Sequence, residues 1–316
     1  MSQKKTHSSS LTWYEALAVN TLYAMVYLIS LMPFKVLYLH SDMLFHLIYS
    51  IVGYRRRIVR KNLTRSFPEK SEAEIDGIER GFYHFFCDYI FETLKLASMS
   101  RETIKRHLKF NGIEQVAENF SQGSNVALYL GHYGNWEWMT SIGLHLPPEG
   151  IGCQIYHVLE SRVMDRLLLR LRSKMGTMSI PMAETLRKLI MLRSEKQLHI
   201  CGFISDQSPI IYNVPYWTTF LNQETPFING TEHVARKLDM PCYYLDVRRT
   251  SRGYYVGNFI KITDNPKALA DGVITQRYTE LLEQNIRRQP ELWLWSHNRW
   301  KRRHEDFHNE ARKQKA

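Results

Sequence analysis

The sequence predicts an α/β fold, a largely parallel central sheet flanked by helices, with a membrane-associated helical segment at its N-terminus. Three observations carry that expectation. From Phe110 onward, short apolar runs of strand length alternate with segments of helical period. Ahead of them, Leu11–Met32 is almost continuously apolar and is followed by a cluster of arginines. Finally, 44% hydrophobic and 23% charged residues in 316 suit a folded chain with one large core or two modest ones.

Taken in order, Met1–Ser10 is a polar, basic leader. Leu11–Met32, interrupted mainly by Glu15 and Asn20-Thr21, would make a helix roughly 33 Å long against a hydrocarbon core of about 30 Å. It lacks a small-residue cleavage signature, which indicates an uncleaved anchor, and Trp13, Tyr14 and Tyr23 suit an interface. The alternative is a long helix buried on the domain. Pro33 breaks it. Phe34–Gly53 carries Lys35, His40, Asp42 and His46, too polar to span, and is read as interfacial. Arg55, Arg56, Arg57, Arg60 and Lys61 then suit anionic headgroups on the cytoplasmic side. Ser71-x-x-Glu74 is a capping box opening a helix whose stripe Ile75, Ile78, Phe82, Phe85, Phe86, Tyr89, Ile90 and Leu94 faces a core; no chemistry is assigned to it. Helices follow near Ile113–Phe120, Ser161–Met175, Glu184–Arg193, Gly230–Leu238 and Val273–Arg288. Strands are expected at Val126–Leu130, Ile151–His157, Met178–Pro181, His199–Ser205, Pro241–Arg248 and Tyr254–Ile262.

The strand Val126–Leu130 runs into Gly131-His132-Tyr133-Gly134-Asn135, a tight turn, and then Glu137 in a segment that can be helical from about Asn135. On one continuous helix, five residues is about 140° of rotation and the two side chains would part. With His132 in the turn and Glu137 in the first helical turn, the carboxylate can fold back onto an imidazole nitrogen. That makes a base with an orienting acid at a strand end, where α/β proteins keep their chemistry. The alternative is a solvated turn histidine and a glutamate favoured by the helix dipole.

GHYGNWE resembles the HxxxxD/E motif of the lysophospholipid acyltransferase superfamily, most closely the lipid A biosynthesis late acyltransferase (HtrB/LpxL-type) branch. RKNLTRSFPEKSEAE resembles that family's Asn-Leu…Phe-Pro-Glu region, and the likeness runs from Leu11 to Arg303. It implies transfer of a fatty acyl group from a thioester, usually on acyl carrier protein, to a hydroxyl of a lipid A precursor at the bacterial inner membrane. His132 and Glu137 would then be the catalytic pair, with Asn135 beside them among the substrate-binding residues. Asp206-Gln207 opens a long aromatic and proline-rich loop to Pro226, which could floor an acyl-chain groove; the family commonly has Asp-Gln there. Arg170-Leu171-Arg172 resembles the family's R-x-R, making Arg170 the first choice and Arg172 the second for a substrate or oxyanion contact, alongside a backbone N–H near Gly134. The closing LWLWSHNRWKRR resembles Trp-x-His-x-Arg-[aromatic]-Lys and brings Arg299 toward a phosphate-bearing amphiphile; the alternative is a packed tryptophan strand with a basic edge. His157-Val158 departs from the family's frequent Arg-Pro.

The resulting division is an anchor and interfacial segment, 1–62, an acyltransferase domain, 63–303, and a charged tail, 304–316. A net charge of +11 favours anionic company: a lipid headgroup, an acidic membrane surface or an acidic carrier. Nucleic-acid signatures are missing, as are G-x-S-x-G and Walker A. His304-Glu305-Asp306-Phe307-His308 matches H-E-x-x-H but lies in the charged tail, and no metal or other cofactor is expected, only an acyl-thioester co-substrate on acyl carrier protein or coenzyme A. Cys87, Cys153, Cys201 and Cys242 are spaced as buried free thiols. Two other readings stay open: an acyltransferase acting on a lysophospholipid, glycolipid or amino-acid lipid, and a non-catalytic protein that binds anionic membranes.

Overall fold

In the computed structural model, which describes residues 11–210 and 215–307, the N-terminal helices are set by local chemistry. Thr12 and Glu15 form a reciprocal capping box that starts helix α1 (Trp13–Ser30). Pro33, which cannot donate a hydrogen bond, sits at the N-cap of α2 (Phe34–Phe45), and a π-helical stretch continues it through His46–Val52. The two helical arms meet at 111°, and no single helix among the described residues is long and apolar enough to cross a bilayer. Helix α1 is held on the domain by an Arg162–Glu15 ion pair at 3.2 Å and by the Arg170 guanidinium over the Tyr23 ring. Its outer side leaves Trp13, Leu17 and Leu28 exposed, and α2 with its extension exposes Leu39, Met43 and Ile51.

The arginine cluster lies at the start of α3 (Arg56–Ser66), and the expected Ser71–Glu74 capping box starts α4 (Glu72–Lys95). That helix buries Ile75, Phe82 and Phe85 as its period requires, but also Glu79, Asp88 and Glu92. There follow α5 (Arg101–His107), β1 (Leu108–Asn111), α6 (Glu114–Ser121), β2 (Val126–Leu130), β3 (Gly150–Tyr156), α7 (Arg162–Ser173), β4 (Met178–Pro181), α8 (Thr185–Ser194) and β5 (Leu198–Ile204). After these come β6 (Tyr216–Phe220), β7 (Gln223–Phe227), α9 (Gly230–Leu238), β8 (Cys242–Ser251), β9 (Tyr254–Thr263) and α10 (Val273–Arg288). Seven strands form one sheet in the order β1-β9-β8-β2-β5-β3-β4, parallel throughout except for the β8–β9 pair. The mostly parallel sheet flanked by helices is the expected one. Strand β2 lies near its middle, buried at every position, as a strand covered on both faces must be.

Three local features depart from the sequence expectation. The segment after Glu137 is a 3-10 helix, Trp138–His145, not an α-helix from Asn135. The loop from Asp206 to Pro226 folds in its second half into a β6–β7 hairpin turning at Leu221 and Asn222, both with positive φ. A leucine there gives no Asn-Gly signal, so the hairpin is hidden from sequence. Edge strand β1 has no apolar run to announce it, because Lys109 and Asn111 alternate with its two buried residues. The four cysteines are buried and unpaired, as expected.

Helix α2, α4 and the β8–β9 hairpin are clasped by one carboxylate. Buried Asp88 accepts the Ser41 hydroxyl at 2.7 Å, Arg249 at 2.9 Å and Arg252 at 2.6 Å, while Arg252 also reaches Asp42. Removing that carboxylate strands a largely buried cation. Asp88→Ala is expected to cost about 3 kcal/mol and roughly 5–10 °C in Tm by thermal denaturation; a change within about 1 °C would show that the cluster does not hold these elements.

Candidate active site

Strand register builds the site. Parallel neighbours β2 and β5 pair Leu130 with Ile204. Two residues beyond each, at the carboxyl ends where open α/β sheets keep their ligands, stand His132 and Asp206. The Asp206 Oδ1 lies 2.6 Å from His132 Nδ1, and its Oδ2 accepts the His132 backbone N–H at 2.8 Å. Oδ2 also accepts the indole N–H of Trp293 at 2.8 Å. Burial pushes the Asp206 carboxyl up, but the His132 charge and these hydrogen bonds outweigh it and bring it down to about 2. An ionised acceptor on Nδ1 fixes the tautomer that carries its proton there and leaves the lone pair on Nε2. Gln207 Nε2 stands 3.2 Å from that nitrogen.

The catalytic turn is stapled to the C-terminal block. Gly134 N–H donates to Leu292 O at 3.0 Å and Leu294 N–H to His132 O at 3.1 Å, a short antiparallel pairing of Tyr133 with Trp293. Gly134 sits at φ +62°, and a Cβ there would come within 2.9 Å of Val247. Asn62, from the Asn-Leu segment, donates to the carbonyls of Trp295 and His297, each at 2.9 Å, so both outlying motifs serve one purpose.

Several expected roles change. Glu137 does not fold back onto His132. Because a 3-10 helix starts after it, its carboxylate points to Arg172, which grips it with Nε at 2.7 Å and Nη2 at 2.6 Å; Tyr89 adds a hydroxyl at 3.4 Å. Burial lowers the Arg172 guanidinium, yet Glu137 more than offsets that and keeps it charged. Asp206, expected to touch substrate, is buried and is the imidazole's partner. Arg170, the first choice, turns outward to Asn20 Oδ1 at 3.1 Å, and Arg172 is the residue at the motif. Asn135 is buried and donates to Glu92 at 2.7 Å, so it shapes the turn instead of meeting a ligand. Arg299 is 0% exposed, donates to Pro226 O and lies over the Phe227 ring. It cannot reach a headgroup. The Gly134 N–H, considered for an oxyanion, is spent on Leu292. Gln207 alone of the outer set faces the imidazole as a ligand-side group would. Of the H-E-x-x-H match, His308 lies outside the described residues, and His304 bonds Glu224 and stacks on Trp217.

Sequence reasoning missed Trp293 and Tyr89. The tryptophan stood in a recognised block whose signal was taken for phosphate binding, and the tyrosine lay within an ordinary apolar stripe. Next to the turn, a slot of about 50 Å³ runs down the sheet face between the central strands and the 3-10 helix, lined by Leu128, Leu130, Trp136, Met139, Ile155 and Ile204. Trp136 sits edge-on to His132 at 5.3 Å and joins the two features.

A histidine held by a buried carboxylate at parallel strand ends, beside an apolar slot, is an arrangement found in α/β enzymes. The chain belongs to the bacterial lipid A biosynthesis acyltransferase family, whose model matches residues 1–302, and is thus an O-acyltransferase with a lipid substrate. No curated protein matches it significantly.

His297 supplies a pH test of this architecture. Burial pulls its imidazole down to about 4, against the attraction of Asp206 and with the repulsion of Arg299. Its Nε2 accepts the Ser208 N–H at 3.1 Å, which requires the neutral ring. As pH falls below about 6.5, the unfolded chain takes the proton first, so this contribution is whole above that value and is lost as pH falls toward 4. Thermal melts should show Tm falling from pH 7 to pH 5, and His297→Gln should be less stable at pH 7 but have the flatter profile. An equal slope in both proteins would contradict the assignment.

Proposed function

We propose that the protein transfers a fatty acyl group from a thioester on acyl carrier protein to a hydroxyl of a lipid A precursor, working at the cytoplasmic face of the bacterial inner membrane. The observation that carries this is His132, held through Nδ1 by Asp206, with Nε2 beside Gln207 and its ring against Trp136, which lines an apolar slot. The acceptor hydroxyl displaces the Gln207 amide from Nε2 and gives its proton to that nitrogen as its oxygen attacks the thioester carbonyl. The C–S bond then breaks, and the imidazolium returns the proton to the departing thiolate. Asp206 stabilises the imidazolium, as an acid partner does in other histidine-based acyl transfers. Glu137 holds Arg172 charged and in place, and Arg172 is the cation assigned to the developing oxyanion. The acyl chain enters at the slot. This sequence of steps needs neither metal nor cofactor.

The bent α1–α2 pair supports membrane docking. Exposed Trp13, Leu17, Leu28, Leu39, Met43 and Ile51 offer an apolar face, followed along the chain by exposed Arg57, Lys61 and Arg65 on α3. The same excess of positive charge favours an acidic carrier as donor over coenzyme A.

Detergent-solubilised protein, given acyl carrier protein thioesters and a tetra-acylated lipid A precursor, should add the mass of one acyl chain to the lipid. His132→Ala should abolish this or slow it by about 10²–10⁴-fold, the usual worth of a positioned base. If a lysophospholipid is acylated and the lipid A precursor is not, the chemistry stands and the acceptor assignment falls. If nothing is acylated while vesicles of anionic lipid are bound, the non-catalytic reading replaces this one. Asp206→Asn should lower kcat by about 10²–10⁴-fold with little change in KM, because the ring loses its fixed tautomer. A wild-type kcat in that variant would return the orienting role to another group.

A further inference from the structure

Glu92 is a buried carboxylate that the acyl-transfer steps do not use, and it joins four elements. Its Oε2 accepts Asn135 Nδ2 from the catalytic turn at 2.7 Å and the Tyr255 hydroxyl from β9 at 2.9 Å. Its Oε1 accepts the Tyr38 hydroxyl from α2 at 3.0 Å. The backbone carbonyl of the same residue accepts the Trp138 indole N–H at 2.9 Å. Asn135 passes the constraint on, because its Oδ1 accepts the Trp138 backbone N–H at 3.1 Å, closing the turn between His132 and Glu137.

Tyr38 reaches this carboxylate only because the β8–β9 turn makes room. Gly253 stands at φ +77°, and a Cβ there would fall 2.0 Å from the Tyr38 hydroxyl oxygen. Arg252 lies over the Tyr38 ring at 4.5 Å while pairing with Asp42 and Asp88. The same helix α2 exposes Val36, Leu39 and Met43 on its outer side. One carboxylate therefore receives hydrogen bonds both from the apolar N-terminal pair of helices and from the turn that carries the base.

We infer that Glu92 is a positioning residue for the acyl transfer, holding the His132 turn in register and coupling it to helix α2 through Tyr38. Three donors from three elements converge on the Glu92 carboxylate. Burial raises it to about 7, helped by Asp88 and opposed by the Asn135 and Tyr255 hydrogen bonds and by Arg249, so its charge depends on those donors staying in place. Losing Tyr38 loosens the carboxylate, and through Asn135 it loosens the turn, although Tyr38 touches neither His132 nor substrate.

The test is a double-mutant cycle on the full chain in detergent, read by acyl-transfer kinetics and by hydrogen–deuterium exchange of the peptide covering 131–138. The kinetic arm rests on the acyltransferase reading above, and the exchange arm does not. Tyr38→Phe should keep KM, lower kcat by about 3- to 10-fold and speed exchange in 131–138. Glu92→Gln should lower kcat by more than about tenfold, and adding Tyr38→Phe to it should cost nothing further, since the link is already broken. Additive losses, or a Tyr38→Phe protein with unchanged exchange in the turn, would overturn the proposal. Should wild-type protein acylate no acceptor, the functional reading fails and exchange alone decides the coupling. Should Glu92→Gln not fold, Tyr38→Phe and Tyr255→Phe, which remove two donors to the same carboxylate, complete the cycle, and strictly additive exchange effects would again count against it.

Discussion

The Asp206 carboxylate is the constraint on which the active site depends. A fully buried anion is expensive, and three donors converge on this one: the ring of His132, the backbone of His132 and the indole of Trp293. The same three bonds decide where the imidazole points, which nitrogen holds its proton and where the C-terminal block docks. Site geometry and local stability are thus one set of contacts, and the site cannot be loosened without leaving a buried charge short of donors.

Around that anion the protein repeats a single device. Glu137 with Arg172 and Tyr89, Asp88 with Arg249, Arg252 and Ser41, and Glu92 with Asn135, Tyr255 and Tyr38 are each a buried acid saturated by donors from elements distant in sequence. Asp88, Tyr89 and Glu92 all come from α4. Apolar packing supplies the bulk of the core, but it does not specify angles well; these directional bonds fix how α2, α4, the turn and the β8–β9 hairpin meet.

Much of this was readable in the residues. Val126–Leu130, Met178–Pro181, Gly230–Leu238 and Val273–Arg288 fall where apolar run length, period and Pro290 place them, and Ser71–Glu74 caps its helix as written. His132 was legible because it follows a buried strand within GHYGNWE, a run that resembles a known acyltransferase motif. Its partner was not. Whether Glu137 or Asp206 reaches the ring depends on which strand lies beside β2 and in what register, a long-range pairing that leaves no local trace. A 3-10 turn in place of an α-turn then redirects Glu137 by a fraction of a revolution, enough to hand it to Arg172. Arg170 and Arg172 show the same limit: two positions along one helix, one faces α1 and the other the motif, and spacing alone does not say which. The buried acids of α4 were hidden for a different reason, since an apolar stripe of ordinary period draws attention away from the polar residues beside it.

The pairing of His132 and Gly134 with Leu292 and Leu294 carries a consequence for biosynthesis. The strand bearing the base emerges from the ribosome long before the block that closes its turn and caps its acid partner. Until that block arrives, Asp206 lacks its indole donor and the turn lacks its backbone partners, so the nascent chain holds an unfinished site. The turn and its acid partner therefore reach their final geometry only when a stretch of chain made well after both has docked on them.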